Sequence, residues 1–507
     1  MMMVRRSAFV SGPHALRRSV RSTWQIVASV SVLTSALGLG ACTVGPTYKA
    51  PPPQALINQP LADRPLVEKD DGNSGDTGRK GISESATNAP VPAQWWHLYD
   101  DPVLNKLIEQ ALVSNTDLRI AAANLARANA VLGVAQAQGG FSGTTSATVK
   151  RAQESAESYL LTSKLPVANE GDFGLNVSYQ FDLFGVLKRG VQAAGADLDA
   201  ERAAGDVARI TVVANVVRAY VDNCSAAEEE DIAQQSLSLQ AQTTQLAARL
   251  RDAGRGAQQN VTSSVTQTET VRAQLPGFAA RRRIAHYQLA ALLARDPDSL
   301  PRAIDSCRRT PRILTPLPVG NGAALLRRRP DVREAERRLA AATARIGVAV
   351  GELYPNVTFG ASVGSSGIAR DLFGPATNRW GFGPLVSWTI PANGARARIR
   401  DAQAGSEVAL AQFDGVVLNA LRETQSRLAS YAGDLGQMDA LHDAQRSARE
   451  SADQTHRLYQ IGRESFLSDL DATRTLTSVN AQVAAVEGKV AQDQINVFLA
   501  LGGGWEQ

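Results

Sequence analysis

Three blocks of this sequence occur twice, in the same order and at nearly constant spacing. "NTDLRIAAANLARANAVLGVA" at 115–135 aligns with "RPDVREAERRLAAATARIGVA" at 329–349, placing Asp117 on Asp331, Leu125 on Leu339 and Gly133 on Gly347. "YQFDLFGVLKR" at 179–189 lies on "WTIPANGARAR" at 388–398, and "RLRDAGR" at 249–255 on "RLYQIGR" at 457–463. The offsets are 214, 209 and 208 residues, so each half encodes the same succession of elements. Any fold for this chain must be buildable from two copies of one unit.

Each unit reads helix, strand, loop, strand, very long helix, tight turn, long helix. In "GLNVSYQFD" at 174–182, Leu175, Val177, Tyr179 and Phe181 alternate with polar residues, the period of a strand with one apolar face. Its partner at 141–150 alternates more weakly. In the second unit Val357, Phe359, Ala361 and Val363 alternate in the same way, and Phe382, Val386, Trp388 and Ile390 make a further one-sided run. The helices are written more plainly still. No proline lies between 167 and 275 or after 391, and Val417, Leu421, Thr424, Leu428, Tyr431, Leu435 and Met438 recur at steps of four and three, a heptad seam. Ile210, Val213, Val217, Tyr220, Cys224 and Ala227 do the same. An unbroken helix over 187–250 would be about 95 Å long at ~1.5 Å per residue. Pro276 and Gly277 should kink the returning helix of the first unit, whereas Ala484 stands at the matching place in the second.

The 507-residue chain carries 44% hydrophobic, 5% aromatic and 20% charged residues, with 5 His and a net charge of +4. That supply suits helical rods better than catalysis. The arginines have little aromatic interleaving, so "RRR" at 281–283 and 327–329 reads as exposed helix face, not as a track for nucleic acid. Residues 1–41 read as an export signal, with Arg5, Arg6, Arg17, Arg18 and Arg21 ahead of the apolar run "IVASVSVLTSALGLGA". Leu39, Gly40, Ala41 and Cys42 resemble a bacterial lipobox, which makes Cys42 the candidate lipidation site. Thr43, in place of an Asp, leans towards the outer membrane. Cys224 and Cys307 are 83 residues apart and form no metal-like cluster, and are expected to be isolated thiols. The chain then divides into the signal (1–41), a tether and linker (42–100), a first repeat (101–300), an inter-repeat linker (301–315) and a second repeat (316–507).

The strands are near the length of roughly 9–11 residues that a tilted membrane strand needs. Hydrocarbon cannot satisfy a free sheet edge, so membrane strands must close into a barrel. Four strands per chain cannot do so alone. Common barrels begin at about eight strands, so several copies must contribute, and three would give about twelve.

"CTVGPTYKAP", "WWHLYDDPVLNKLIEQALVSNTDLRIA", "FDLFG", "RRRPDVREAERRLAAATARIGVAVGELYPNVTF", "RLYQIG", "LDATRTL" and "ALGGGW" together resemble TolC-type outer-membrane efflux factors, in the OprM-like, NodT-type lipoprotein branch. The resemblance runs through nearly all of the chain after Cys42. It implies a mainly α fold with membrane β: an internal duplication giving four strands per protomer, a homotrimeric twelve-stranded barrel in the outer membrane and a long α-helical coiled-coil tunnel in the periplasm. It implies the exit duct of a tripartite pump, with a periplasmic adaptor and an inner-membrane RND transporter as partners, outer-membrane lipid around it, and nothing catalysed. No cofactor is implied beyond N-acyl and S-diacylglycerol lipid on Cys42. The turns carrying Arg251, Gly254 and Arg255, and Tyr459, Gly462 and Arg463, look like the tunnel tips that meet the adaptor. "FLSDLDA" resembles the closing ring, with Leu467 and Asp471 in the narrowing positions, four apart on one helix face. Ser468 stands where some relatives have a further acid. Three carboxylates in one ring would favour cations in the bore.

Three other readings stand beside this one. "GASVG" at 360–364 matches the nucleophile elbow of hydrolases, but Ser362 sits inside an alternating strand and is followed by a loop, where an elbow needs a strand-to-helix turn. A periplasmic coiled-coil lipoprotein without a pore would use the same helices. A duct for a type I secretion system would use the same fold.

Overall fold

The computed structural model of the protein describes residues 43–50, 86–87, 89–157, 160–320, 322–390 and 394–503. Residues 1–41, expected to be an export signal, and Cys42 lie outside them. Two compact units result, and they cut across the sequence repeat. Among the described residues, the first holds those within 43–47, 134–192 and 343–403 and the second those within 48–133, 193–342 and 404–503, with unit boundaries falling inside long helices.

The first unit holds a four-stranded antiparallel sheet of β2 (Phe141–Ala152), β3 (Ala168–Phe181), β5 (Asn356–Ile368) and β6 (Asn378–Ser387), in the order β2-β3-β5-β6. The two duplicated hairpins thus lie side by side, joined where β3 pairs with β5. Leu175 pairs with Val363 and Val363 with Trp380, so the apolar residues of successive strands share one face. Trp388 and Ile390, expected to continue the last strand, lie beyond its end. Trp388 instead donates its indole N–H to the Leu353 carbonyl at 3.1 Å. Ser362 lies within β5, with no helix following.

The helices are α1 (Pro102–Ser114), α2 (Thr116–Ala137), α3 (Val186–Asp252), α4 (Gln258–Arg272), α5 (Leu275–Leu292), α6 (Gly322–Arg328), α7 (Pro330–Gly351), α8 (Ala395–Gln460) and α9 (Phe466–Ala500). None of them is long and apolar enough to cross a membrane. The 67 residues of α3 and 66 of α8 match the proline-free stretches. Asp182 of "FDLFG" starts α3, its carboxylate accepting from the Leu187 and Lys188 amides at 3.1 and 2.8 Å. Proline lacks the amide that would continue the ladder, so the returning helix breaks into α4 and α5 around Pro276. Its counterpart α9 runs 35 residues unbroken.

In the second unit the seam residues Val213, Val217, Tyr220, Cys224 and Leu428 are buried in one core with Leu104, Ile108 and Leu289. The aromatic "WWHLY" segment contributes Trp95, stacked on Phe498 at 4.7 Å. Here the expectation of isolated thiols is corrected, for Cys224 and Cys307 form a disulfide with Cα atoms 5.1 Å apart. The inter-repeat linker lies along α3, where Asn223 donates to the Ile304 carbonyl at 3.0 Å and the Glu228 carboxylate accepts from Thr310 N and Oγ1 at 2.8 and 2.7 Å. That packing brings the two cysteines together. The linker is followed by a short parallel bridge, β4 (Leu317–Pro318) on β1 (Ala86–Thr87), the latter inside the stretch 42–100 expected to be tether and linker.

The second arginine triplet also departs from an exposed face. Arg329 is buried, bonded to Asp331 at 2.7 Å, to Glu423 at 3.1 Å and to the Ala500 carbonyl at 2.7 Å. The Ala500 carbonyl at the C-terminal end of α9 and two carboxylates together satisfy a charge that water would otherwise hold.

Candidate functional site

The two long-helix turns are built alike. After α3, Gly254 N–H donates to the Arg251 carbonyl and Arg255 N–H to the Leu250 carbonyl, both at 2.8 Å. After α8, Gly462 N–H donates to Tyr459 and Arg463 N–H to Leu458, both at 2.9 Å. This is the Schellman ending, in which a left-handed residue lets the last carbonyls of a helix be satisfied. Gly254 and Gly462 take φ of +71° and +74°, a conformation that side-chain-bearing residues avoid. Arg255 and Arg463 are exposed, so each turn presents one arginine to the surroundings. Arg251 is half-buried and reaches Gln258 Oε1 at 3.1 Å, bracing the first turn. Tyr459 packs on Phe466 across the second turn, ring centres 6.0 Å apart.

Helix α9 begins on a capping residue, Ser465, whose hydroxyl accepts from the Ser468 amide at 3.0 Å. Asp471 therefore does not cap the helix. Leu467 is 53% exposed and the Asp471 side chain 77% exposed, one helical turn apart, with Arg474 at 3.4 Å from Asp471. Asp469 and Leu470 point the other way and are buried. The Asp469 carboxylate lies 3.2 Å from His456 Nδ1, tying α8 to α9 just inside the turn. Sequence reasoning passed over this pair. Its only written signal is a scarce His thirteen positions before an acid.

Residues 43–47, next to the candidate lipidation site, are docked rather than a loose tether. Val44 N–H donates to the Phe184 carbonyl at 3.1 Å. Arg189, in the first turn of α3, donates from Nε to the Val44 carbonyl at 3.2 Å and from Nη2 to the Gly45 carbonyl at 3.1 Å. In the second unit Tyr48 donates its hydroxyl to Glu336 at 2.9 Å, with the Arg337 guanidinium 6.0 Å over its ring. Burial and the Glu336 carboxylate push the Tyr48 phenol above its ordinary range.

The structure thus places Leu467 and Asp471 together on one open face, and sets Gly254 and Gly462 at matching corners. Among the described residues no cluster of His, Cys, Asp or Glu could hold a metal ion.

Residues 107–295 and 323–503 match the sequence profile of the family described as outer membrane efflux protein. The chain is 29% identical over 472 residues to Nodulation protein T of Rhizobium leguminosarum bv. trifolii, covering 92% of this chain and 95% of that one. It is 28% identical to outer membrane protein OprJ of Pseudomonas aeruginosa, over 94% and 96% of the two chains. Among solved structures it is similar to the outer-membrane channel OprN, with a TM-score of 0.82 at 31% identity over 92% of this chain and all of that one. On the duplicated helix-and-strand unit and these matches over both halves, the chain belongs to the outer membrane efflux protein family.

Proposed function

We propose that three copies of this chain form the exit duct of a tripartite RND-type efflux system, conducting small molecules passively from the periplasmic side to the exterior. The open sheet carries the reading. Its edges, β2 and β6, are each paired on one side only, and its apolar face exposes Trp380, Phe382 and Val386. Such a sheet needs hydrocarbon on that face and another strand at each edge, which neighbouring copies supply by closing twelve strands into a barrel. Helix α2 points to the same need, since it buries no residue within the chain while exposing Ile120, Val131 and Val134. The turns at Gly254 and Gly462 would meet a periplasmic adaptor, and an inner-membrane transporter would supply energy. Leu467 and Asp471 would narrow the resting tunnel, and lipid on Cys42 would complete the N-terminus. The test is purified protein in a planar bilayer. Heat-resistant trimers with discrete conductance steps are expected, and monomers without conductance would refute the reading.

A further inference from the structure

The face of the sheet opposite the apolar one carries Ser142, Thr144, Asn176, Ser178 and Ser362 along most of its length. Its character changes at one end. There Lys150 Nζ lies 2.9 Å from Glu154 and 3.2 Å from Glu170, and Arg379 Nη2 lies 3.0 Å from both oxygens of Asp172. This is the end where 153–167 and 369–377 join the strands as hairpin loops, while at the other end the strands run into α2, α3, α7 and α8.

Arg379 and Asp172 belong to strands that do not touch. Arg379 on β6 pairs with Gly364 on β5, which pairs with Gly174 on β3, and Asp172 is two residues along β3 on the same face. The guanidinium must therefore cross a whole strand to reach its partner. The row it crosses bears no side chain. A Cβ on Gly174 would stand 3.1 Å from Arg379 Nη2, and one on Gly364 would stand 2.3 Å from the Phe173 carbonyl. The missing side chain at Gly174 leaves the guanidinium its path, and the missing one at Gly364 lets the backbones of β3 and β5 approach beneath it.

From this geometry we infer that Arg379 and Asp172, flanked by Lys150 and Glu170, are the charge-selecting residues at the loop end of the channel. The inference rests on the proposed barrel, in which the polar face lines the bore and this end opens outward. In each chain the ion-paired set at the strand ends is Lys150 with Glu154 and Glu170, and Arg379 with Asp172, and threefold symmetry repeats it around the exit. Charged side chains ringing a bore govern which ions pass. Arg379 neutralises Asp172, so the balance between these two residues sets the charge that a leaving solute meets.

The test is the reversal potential of single trimers in a planar bilayer under a potassium chloride gradient. Arg379→Gln leaves Asp172 uncompensated and should raise the cation-to-anion permeability ratio about fivefold, the scale of one unpaired charge acting near 4 Å through water. Asp172→Asn should lower the ratio, and exchanging the two residues should return it towards wild type. Arg379→Cys gives a second reading that leaves Gly174 and Gly364 in place. A thiol reagent carrying a negative group, added on the loop side, should raise the ratio, and one carrying a positive group should lower it. Conducting trimers whose ratio stays at the wild-type value in every variant, modified or not, overturn the filter. Wild-type trimers that do not conduct overturn the duct, and the filter with it.

Discussion

Arg189 holds Gly45. The Nη2 of one donates to the carbonyl of the other at 3.1 Å across 144 positions of sequence, and Nε does the same for Val44. The stretch that follows the candidate acyl-cysteine is therefore pinned at the first turn of α3. Arg189→Ala removes both bonds, and limited proteolysis should then cut within 43–50 severalfold faster while the trimer still assembles. Unchanged cleavage would mean that the Val44–Phe184 backbone bond and packing hold the segment without the arginine.

The disulfide between Cys224 and Cys307 closes 83 residues of separation. Loop-closure entropy puts its contribution at about 4.5 kcal/mol, above the roughly 2–4 kcal/mol that disulfides typically give. The oxidising periplasm preserves such bonds. A Cys224→Ser, Cys307→Ser double variant should unfold at a clearly lower temperature than wild type, and reductant should shift wild type alone. Equal midpoints for the two proteins would show that the bridge adds nothing.

Leu467 and Asp471 share an open helical face one turn apart. If they narrow the resting tunnel, Leu467→Ala combined with Asp471→Ala should conduct severalfold more than wild type in single-channel recordings. A conductance no larger than wild type would remove them from that role.

Gly462 needs its positive φ to end α8 and begin α9. Gly462→Val places a β-branched side chain where the left-handed conformation costs about 1–2 kcal/mol. If this turn meets a periplasmic adaptor, trimers should form normally but a strain relying on this variant should lose drug resistance, because the turn is misshapen. Full resistance would show that the adaptor does not read this corner.

Asp493 on α9 lies beside Asp434 on α8, with Lys489 2.6 Å from Asp434 and the Ser430 hydroxyl donating to Asp493 at 3.3 Å. Burial first, and then the neighbouring Asp434 carboxylate, raise Asp493 to about 6. A carboxyl whose pKa is raised in the folded state binds its proton more tightly there than in the unfolded chain. The stability it adds is fully present below the unfolded value and is lost as pH rises through about 6. Asp493→Asn mimics the protonated form. It should therefore raise the unfolding midpoint at pH 7.5 relative to wild type, with the gap narrowing by pH 5. A gap independent of pH would exclude this proton as its cause.

What could be read from the sequence was what repeats along it. Val213, Val217 and Tyr220 announce a buried seam because helical burial is periodic, and Leu175, Val177 and Phe181 announce a one-sided strand for the same reason. Contacts between distant positions leave no such trace. Nothing in a spacing of 83 residues says that two cysteines lie 5.1 Å apart at their Cα atoms, and nothing in "TVGPT" says that an arginine in α3 will grip it. Arg329 shows the opposite failure. Its triplet looks like solvated surface until α9 ends beside it and offers the Ala500 carbonyl. The candidate site divides in the same way. The corner glycines and the Leu467/Asp471 face follow from local geometry, whereas Asp469 with His456 and Asp172 with Arg379 exist only because strands and helices return.

The covalent bond at the root of the first hairpin gives the two tips different mechanics. From Cys224 down α3, around Gly254, back through α4 and α5 and along the linker to Cys307, the backbone is a circuit with no open end. A pull on that tip is delivered to both roots at once. The hairpin of α8 and α9 contains no cysteine and is held by contacts such as Lys489 on Asp434 and Gln445 on Asn480. Of the two, it is the one whose arms no covalent bond ties together, and it is the one that carries Leu467 and Asp471.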